Sequence, residues 1–271
     1  MSRFLGITRE RVFSPGRVDD DGAILHMVAD RLRTAGHEVS VFDADEPRWP
    51  QPVAGTVVFA MCQGERALAH LQQWQARGLR IVNTPDGIRN CQRHRTVAAF
   101  AGSPIAFPET VLVDSGERLT VPWIADGGAW IKRGDVHATE PDDVVFVDGA
   151  ATAQQALGRF RARGIARVVV QRHIPGTVVK FYAVRGRFFA CASGPGVVPL
   201  ADDVLQRIDA LGGRAAEILG VEVYGGDCVR DLSGKLHLID LNDWPSFASC
   251  RAAAAGHIAA YVQAQDVARD A

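Results

Sequence analysis

The apolar positions of this chain change period repeatedly, and the changes outline its elements. Up to about residue 85, short apolar runs alternate with helical patterns. FLGIT (4–8), EVSVFDA (38–44), GTVVFAMC (55–62) and RIVN (80–83) read as strands. Between them, residues 20–36 place Ile24, Leu25, Val28 and Leu32 at helical spacing, with acids at the start and Gly36 at the end. Residues 64–78 repeat the pattern and stop at Gly78. Strands alternating with helices predict a parallel α/β sheet.

Beyond residue 85 the pattern changes. Residues 84–102 read as one helix entered through Thr84 and Pro85. FPETVLV (107–113) is a strand, and residues 127–149 read as strand, polar glycine-containing loop and strand. A helix follows at 151–164. Residues 166–194 predict a strand, a polar connector and a hairpin turning at Arg185-Gly186. A helix at 200–220 leads to a second hairpin, 222–244, turning at Asp231–Gly234. An alanine-rich helix, about 250–268, closes the pattern. We divide the chain into blocks 1–85, 86–175 and 176–271.

Composition narrows the class. With 47% hydrophobic and 23% charged residues, the 271-residue chain suits a soluble globular protein with a sizeable core. A net charge of −1 makes no electrostatic case for nucleic acid. No apolar run approaches the roughly 20 residues of a membrane-spanning helix, and the first residues do not read as a signal peptide. The five cysteines are scattered without a Cys-x-x-Cys pair, so a reduced cytoplasmic protein without structural zinc is expected. Neither a Gly-x-Gly-x-x-Gly fingerprint after the first strand nor a P-loop is present.

The chemistry concentrates in the last hairpin. In HLIDLNDWPSFASC (237–250), strand alternation puts Leu238, Asp240 and Asn242 on one face, the two polar groups about 6–7 Å apart at the backbone. The partner strand carries Asp227, which the hairpin brings alongside Asp240. Two carboxylates converging on one face with an amide oxygen are costly without a cation, because like charges repel, and an all-oxygen set suits magnesium with substrate phosphates. Lys132 ends an apolar strand before a glycine loop, an arrangement suited to phosphate. The connector after VVV (168–170) is polar between apolar flanks, and the following strand carries Lys180.

The order of these pieces resembles the ATP-grasp superfamily, in particular its RimK and glutathione synthetase-like carboxylate–amine ligases. The stretches that carry it are IVNTPDGIRNCQRH, WIKRGD, VVVQRHIPGTVVKFYAV, GGDCVRD and LIDLNDWPSF, across residues 81–260. The resemblance implies a Rossmann-like domain followed by a two-lobed ATP-grasp fold that holds ATP between its lobes. It implies that Lys132 contacts phosphates and that Gly134 and its neighbours form a mobile loop over them. Gln171, Arg172, His173 and Ile174 then form the adenine hinge, Lys180 faces the ribose or phosphates, and Asp227, Asp240 and Asn242 hold Mg2+, with Mn2+ as a substitute. Asp240 stands where a glutamate is common. The helix at 84–102 lacks the family's Asp-Lys pair, so His94 or Arg95 is expected in place of its nucleotide-binding lysine.

The implied activity is ATP-dependent ligation of a small-molecule carboxylate to an amine through an acylphosphate, in a protein with room for a homodimer. Arg172, Arg185 and Arg251 are candidates to grip an anionic acceptor, with Lys132, Arg172 and Arg185 as the catalytic set. His137 is a weaker candidate. Arg9, Arg11, Ser14 and Arg17 lie where open sheets bind ligands, and Cys62 and Gln63 end another strand of that sheet. The alternatives are a small-molecule kinase, similar to the inositol phosphate kinases and marked by a densely basic cleft, or a silent nucleotide-binding protein.

Overall fold

Three four-stranded sheets organise the chain in the computed structural model, which describes residues 1–136, 139–192 and 199–267. The first is parallel, in the order β2 (Glu38–Phe42), β1 (Arg3–Ile7), β3 (Val57–Ala60), β4 (Arg80–Val82). Helix α1 (Val18–Thr34) starts with Asp19, Asp20 and Asp21, ends with Arg31 and Arg33, and turns out through Gly36 at φ 86°. That charge order opposes the helix dipole. Its apolar stripe, Ile24, Leu25, Val28 and Leu32, is buried on one face of the sheet. Helix α2 (Glu65–Ala76) covers the other face through Leu68, Leu71 and Trp74.

The second and third sheets are antiparallel. One runs β5 (Thr110–Asp114), β8 (Arg167–Arg172), β6 (Ala129–Arg133), β7 (Val144–Val147) and is backed by α5 (Ala150–Ala162). The other runs β10 (Phe188–Cys191), β9 (Gly176–Val184), β11 (Val223–Asp231), β12 (Leu236–Asp243) and is backed by α6 (Asp202–Leu219). Three residues join β8 to β9, so the two sheets meet at residues 173–175.

The expected helix at 84–102 is two helices, α3 (Pro85–Asn90) and α4 (Arg93–Phe100). Thr84 caps α3 by accepting from the Gly87 N–H at 3.1 Å. Gly87 packs so closely on the Gly220 carbonyl that a Cβ there would lie 2.3 Å from it. The chain breaks at Gln92, whose backbone is extended, and Thr96 Oγ1 donates back to the Asn90 carbonyl at 2.9 Å. This break aims Arg93.

The cores do not follow contiguous blocks of sequence. Cys91, Phe100 and Ile105 pack into the core of the third sheet. Helix α7 (Arg251–Val267) returns to the first sheet, where Ala254, Ile258 and Val262 pack with Ile24, Leu25 and Val28. The buried Asn83 ties that sheet to β11. Its Oδ1 accepts from the N–H groups of Glu222 (2.7 Å) and Val223 (2.9 Å), and its Nδ2 donates to the Val223 carbonyl at 2.7 Å. Asn83→Ala strands buried backbone groups and is expected to lower stability by about 3 kcal/mol in urea unfolding. Among the described residues no helix is long and apolar enough to cross a membrane.

One further expectation fails. Leu238 does not share a face with Asp240 and Asn242. Asp227 pairs with Asp240, but Cys228 pairs with Leu238, so Ile239 is an extra residue in β12. This bulge reverses the alternation. Leu236, Leu238 and Leu241 enter the core, while Asp240 and Asn242 face a cavity.

Candidate active site

The cavity, about 690 Å³, lies between the second and third sheets and is closed at one end by the first. Strand geometry places its charges. Lys180 on β9 sits opposite Asp227 on β11, which sits opposite Asp240 on β12. Lys180 Nζ donates to Asp227 at 2.9 Å. Arg93, from the first turn of α4, donates to Asp240 at 2.7 Å and to the Arg133 carbonyl at 3.2 Å. Lys132, on β6 of the opposite sheet, donates to Gln171 Oε1 at 2.7 Å and to the Ile239 carbonyl at 3.0 Å. That carbonyl belongs to the bulge residue, so the bulge both turns Asp240 outward and presents an acceptor to Lys132.

Burial shifts these groups. It pushes the Lys132 ammonium down to about 8; Asp240 opposes the fall and Arg93 adds to it. Burial also raises the Asp227 carboxyl, against the pull of Lys180. At Lys180 burial works against the charge, but Asp227 more than offsets it and the ammonium is held above its ordinary range.

Beside the connector 173–175 the lining turns apolar, with Trp130, Val144, Ile174, Val178 and Val229. Trp130 Nε1 donates to His173 Nδ1 at 3.1 Å, so a neutral His173 carries its proton on Nε2. Arg172 lines the rim, where it pairs with Glu109 at 3.2 Å and lies over Trp123. Apolar lining beside a floor that carries both cations and carboxylates suits a planar ring bearing phosphates and their counter-ion.

The first sheet supplies the remaining wall. Arg9 follows β1; it donates to the Trp244 carbonyl at 2.9 Å and lies 3.7 Å from Asp21. Arg17 lies 3.8 Å from Asp21, and Ser14 donates to Asp21 at 2.8 Å. Gln63 donates to Asp243 at 3.1 Å, and Glu10 holds the Gln63 and Gly64 N–H groups. Trp244 and Phe247, both fully buried, take positive φ values of 33° and 50°, and Pro245 and Ser246 between them line the cavity.

Of the residues expected at the site, Lys132, Gln171, Arg172, His173, Ile174, Lys180, Asp227, Asp240 and Asn242 line this one cavity, as do Arg9, Arg17 and Gln63. Others lie elsewhere. Arg185 follows the end of β9, roughly 16 Å of strand beyond Lys180, and donates to the Val221 carbonyl. Arg95 is exposed, because two residues along α4 turn it roughly 200° from Arg93. His94 instead bonds the Gly134 carbonyl at 2.8 Å. Gly134 itself is buried and donates to the Arg167 carbonyl, so it is an anchor rather than part of a loop over the cavity. Arg11 pairs with Asp43 and Asp45, and Arg251 donates to carbonyls of Ser246 and Asp20. Cys62 is buried in the first sheet's core, where burial pushes its thiol well up. His137 lies outside the described residues. Arg93 was missed because its direction depends on the break at Gln92, which no proline or glycine announces.

This architecture of two antiparallel lobes clasping a cleft behind a parallel sheet is the ATP-grasp fold. No family model matches the chain. Among solved structures it is similar to a RimK domain ATP-grasp protein from Sphaerobacter thermophilus (20% identity, TM-score 0.70, covering 96% of this chain and 99% of that one). It is also similar to D-alanine–D-alanine ligase from Bacillus anthracis (10% identity, TM-score 0.76, 98% of each chain). Of curated proteins it resembles mouse beta-citrylglutamate synthase B, at 22% identity over 252 residues covering 85% of this chain. The chain spans 63% of the mouse relative's length and 60% of the human one's.

Proposed function

We propose that this protein is an ATP-dependent ligase that joins a carboxylate to an amine. One observation carries the reading: three cations and two carboxylates, Lys132, Lys180, Arg93, Asp227 and Asp240, converge on the floor of one cleft beside an apolar slot. Lys132 and Arg93 neutralise phosphate charge, and Trp130, Val144 and Ile174 enclose the base. Asp227, Asp240 and Asn242 fit a magnesium ion as two carboxylates and an amide, since such ions take few protein ligands and complete their shell with phosphate and water. Bound there, the ion would offset charge on the transferring phosphoryl group.

The residues around it position the reactants. A substrate carboxylate directed at the γ-phosphate becomes an acylphosphate and releases ADP. The amine then attacks the acyl carbon, and phosphate leaves. Arg9, fixed by the Trp244 carbonyl, and Arg17 favour an anionic substrate at the first sheet, in keeping with relatives named for the synthesis of beta-citrylglutamate. Asp21 between the two arginines makes that wall mixed in charge, which favours a ligase over a kinase for polyphosphorylated substrates. A need for ATP is in keeping with a cytoplasmic enzyme.

The test incubates wild type and Asp240→Ala with ATP, magnesium and a pool of amino acids and small carboxylates, read by mass spectrometry. Wild type is expected to yield ADP and a product lighter than two substrates by one water, with Asp240→Ala at least about 100-fold slower. A phosphorylated product would replace the ligase with a kinase. Absence of magnesium-dependent nucleotide binding would refute both.

A further inference from the structure

Each carboxylate assigned to the metal already has a cation on it. Arg93 reaches Asp240 at 2.7 Å, with side chains only 8% and 15% exposed. Lys180 reaches Asp227 at 2.9 Å. The two acids face each other across β11 and β12, so the order across the floor is cation, acid, acid, cation. Arg93 Nε has no partner among the described residues, although the side chain lines the cavity. Among the described residues, no group of three or more His, Cys, Asp or Glu could hold a metal ion.

These facts set the terms for a divalent ion. Arriving alone, it must separate both acids from a buried guanidinium and an ammonium, and it then has the neighbouring Asn242 amide and water toward the rest of its shell. Arriving with phosphates, it meets neither difficulty. Phosphate oxygens complete the shell and give Arg93 and Lys180 new anionic partners.

We propose that Arg93 and Lys180 are resident counter-ions that occupy the metal-binding carboxylates until nucleotide arrives and then pass to phosphate, so that the divalent ion binds with nucleotide and not by itself. The proposal rests on the nucleotide reading of this cavity. It gives Arg93 opposite effects on two affinities: it weakens metal binding in the absence of nucleotide and strengthens nucleotide binding in the presence of metal. By linkage, nucleotide and metal raise each other's affinity by the same factor, and removing either counter-ion shrinks that factor.

Mn2+ is the probe, with free ion followed by electron paramagnetic resonance and a non-hydrolysable ATP analogue added in a second titration. Relative to wild type, R93Q and K180Q are expected to bind Mn2+ alone about tenfold tighter and the analogue with Mn2+ about tenfold weaker. Equal Mn2+ affinity in wild type and both variants would overturn the proposal. So would a fall in both affinities together in variants of unchanged melting temperature. Should R93Q not fold, K180Q, whose side chain is half exposed, decides by the same signs. Should the analogue not bind at saturating Mn2+, the nucleotide reading falls; the titrations with Mn2+ alone still decide the pairing, with tightening in the variants supporting it and no change overturning it.

Discussion

Lys132→Met is expected to reduce ATP-dependent turnover roughly 100- to 1,000-fold while leaving the unfolding midpoint unchanged or raised. The two halves share one cause. Lys132 is 6% exposed, and burial pushes it down to about 8, so the folded chain already bears the cost of a desolvated charge. Methionine fills similar space without it. The two lost hydrogen bonds, to Gln171 and the Ile239 carbonyl, face a cavity where water can replace them.

The pH dependence has a definite sign. Between pH about 8 and the ordinary lysine value, the unfolded chain holds a proton that the folded chain has released, so wild-type stability rises with pH in that window. Nucleotide affinity runs the other way. In the proposed role of Lys132 it is the charged ammonium that grips phosphate, so affinity is expected to fall as pH climbs through about 8. Nucleotide binding near pH 8 should take up a proton, seen by calorimetry in buffers of different ionisation heat. Lys132→Met should lose the proton uptake and flatten both slopes. A variant that kept the uptake would place the titrating group elsewhere.

Trp244→Ala is expected to lower stability by about 3–5 kcal/mol, measured by urea or thermal unfolding. The side chain is fully buried and stacks near Phe59, with ring centroids 6.2 Å apart. It belongs to a core that draws on α1, the first sheet, β9, β11 and α7 together, so its removal loosens several elements at once. The site suffers too. The Trp244 carbonyl holds Arg9, and the next two residues line the cavity, so KM for the anionic substrate should rise more than KM for ATP. Trp244→Phe is the control. The indole N–H has no partner among the described residues, so phenylalanine should lose little beyond volume.

Much of this architecture was legible from periodicity. Strand and helix patterns outline all three sheets, because each element buries one face and repeats the period that burial demands. Residues 171–174, Lys132, Lys180, Asp227, Asp240 and Asn242 could be expected in one cleft because their order along the chain resembles that of a known superfamily, and the structure lines one cavity with them. Three features were out of reach. The bulge at Ile239 is a register shift between two strands, visible only when both are paired. The break at Gln92 accompanies the docking of α3 on Gly220, a contact more than a hundred residues away in sequence. Arg185 is a cation beside a hairpin turn and so a candidate to grip an anionic acceptor, but the length of β9 carries it away from the cavity, to the Val221 carbonyl.

The return of α7 to the first sheet bears on how the chain is made. About 170 residues separate the end of β4 from the start of α7. A ribosome adding 5–20 residues each second needs roughly 10 to 30 seconds to cover them. Through that interval the stripe of α1 formed by Ile24, Leu25 and Val28 lacks part of its final cover. The first sheet, made before the other two, is therefore among the last to be finished, and a nascent chain stalled before residue 251 should be a preferred client for chaperones that hold exposed apolar helices.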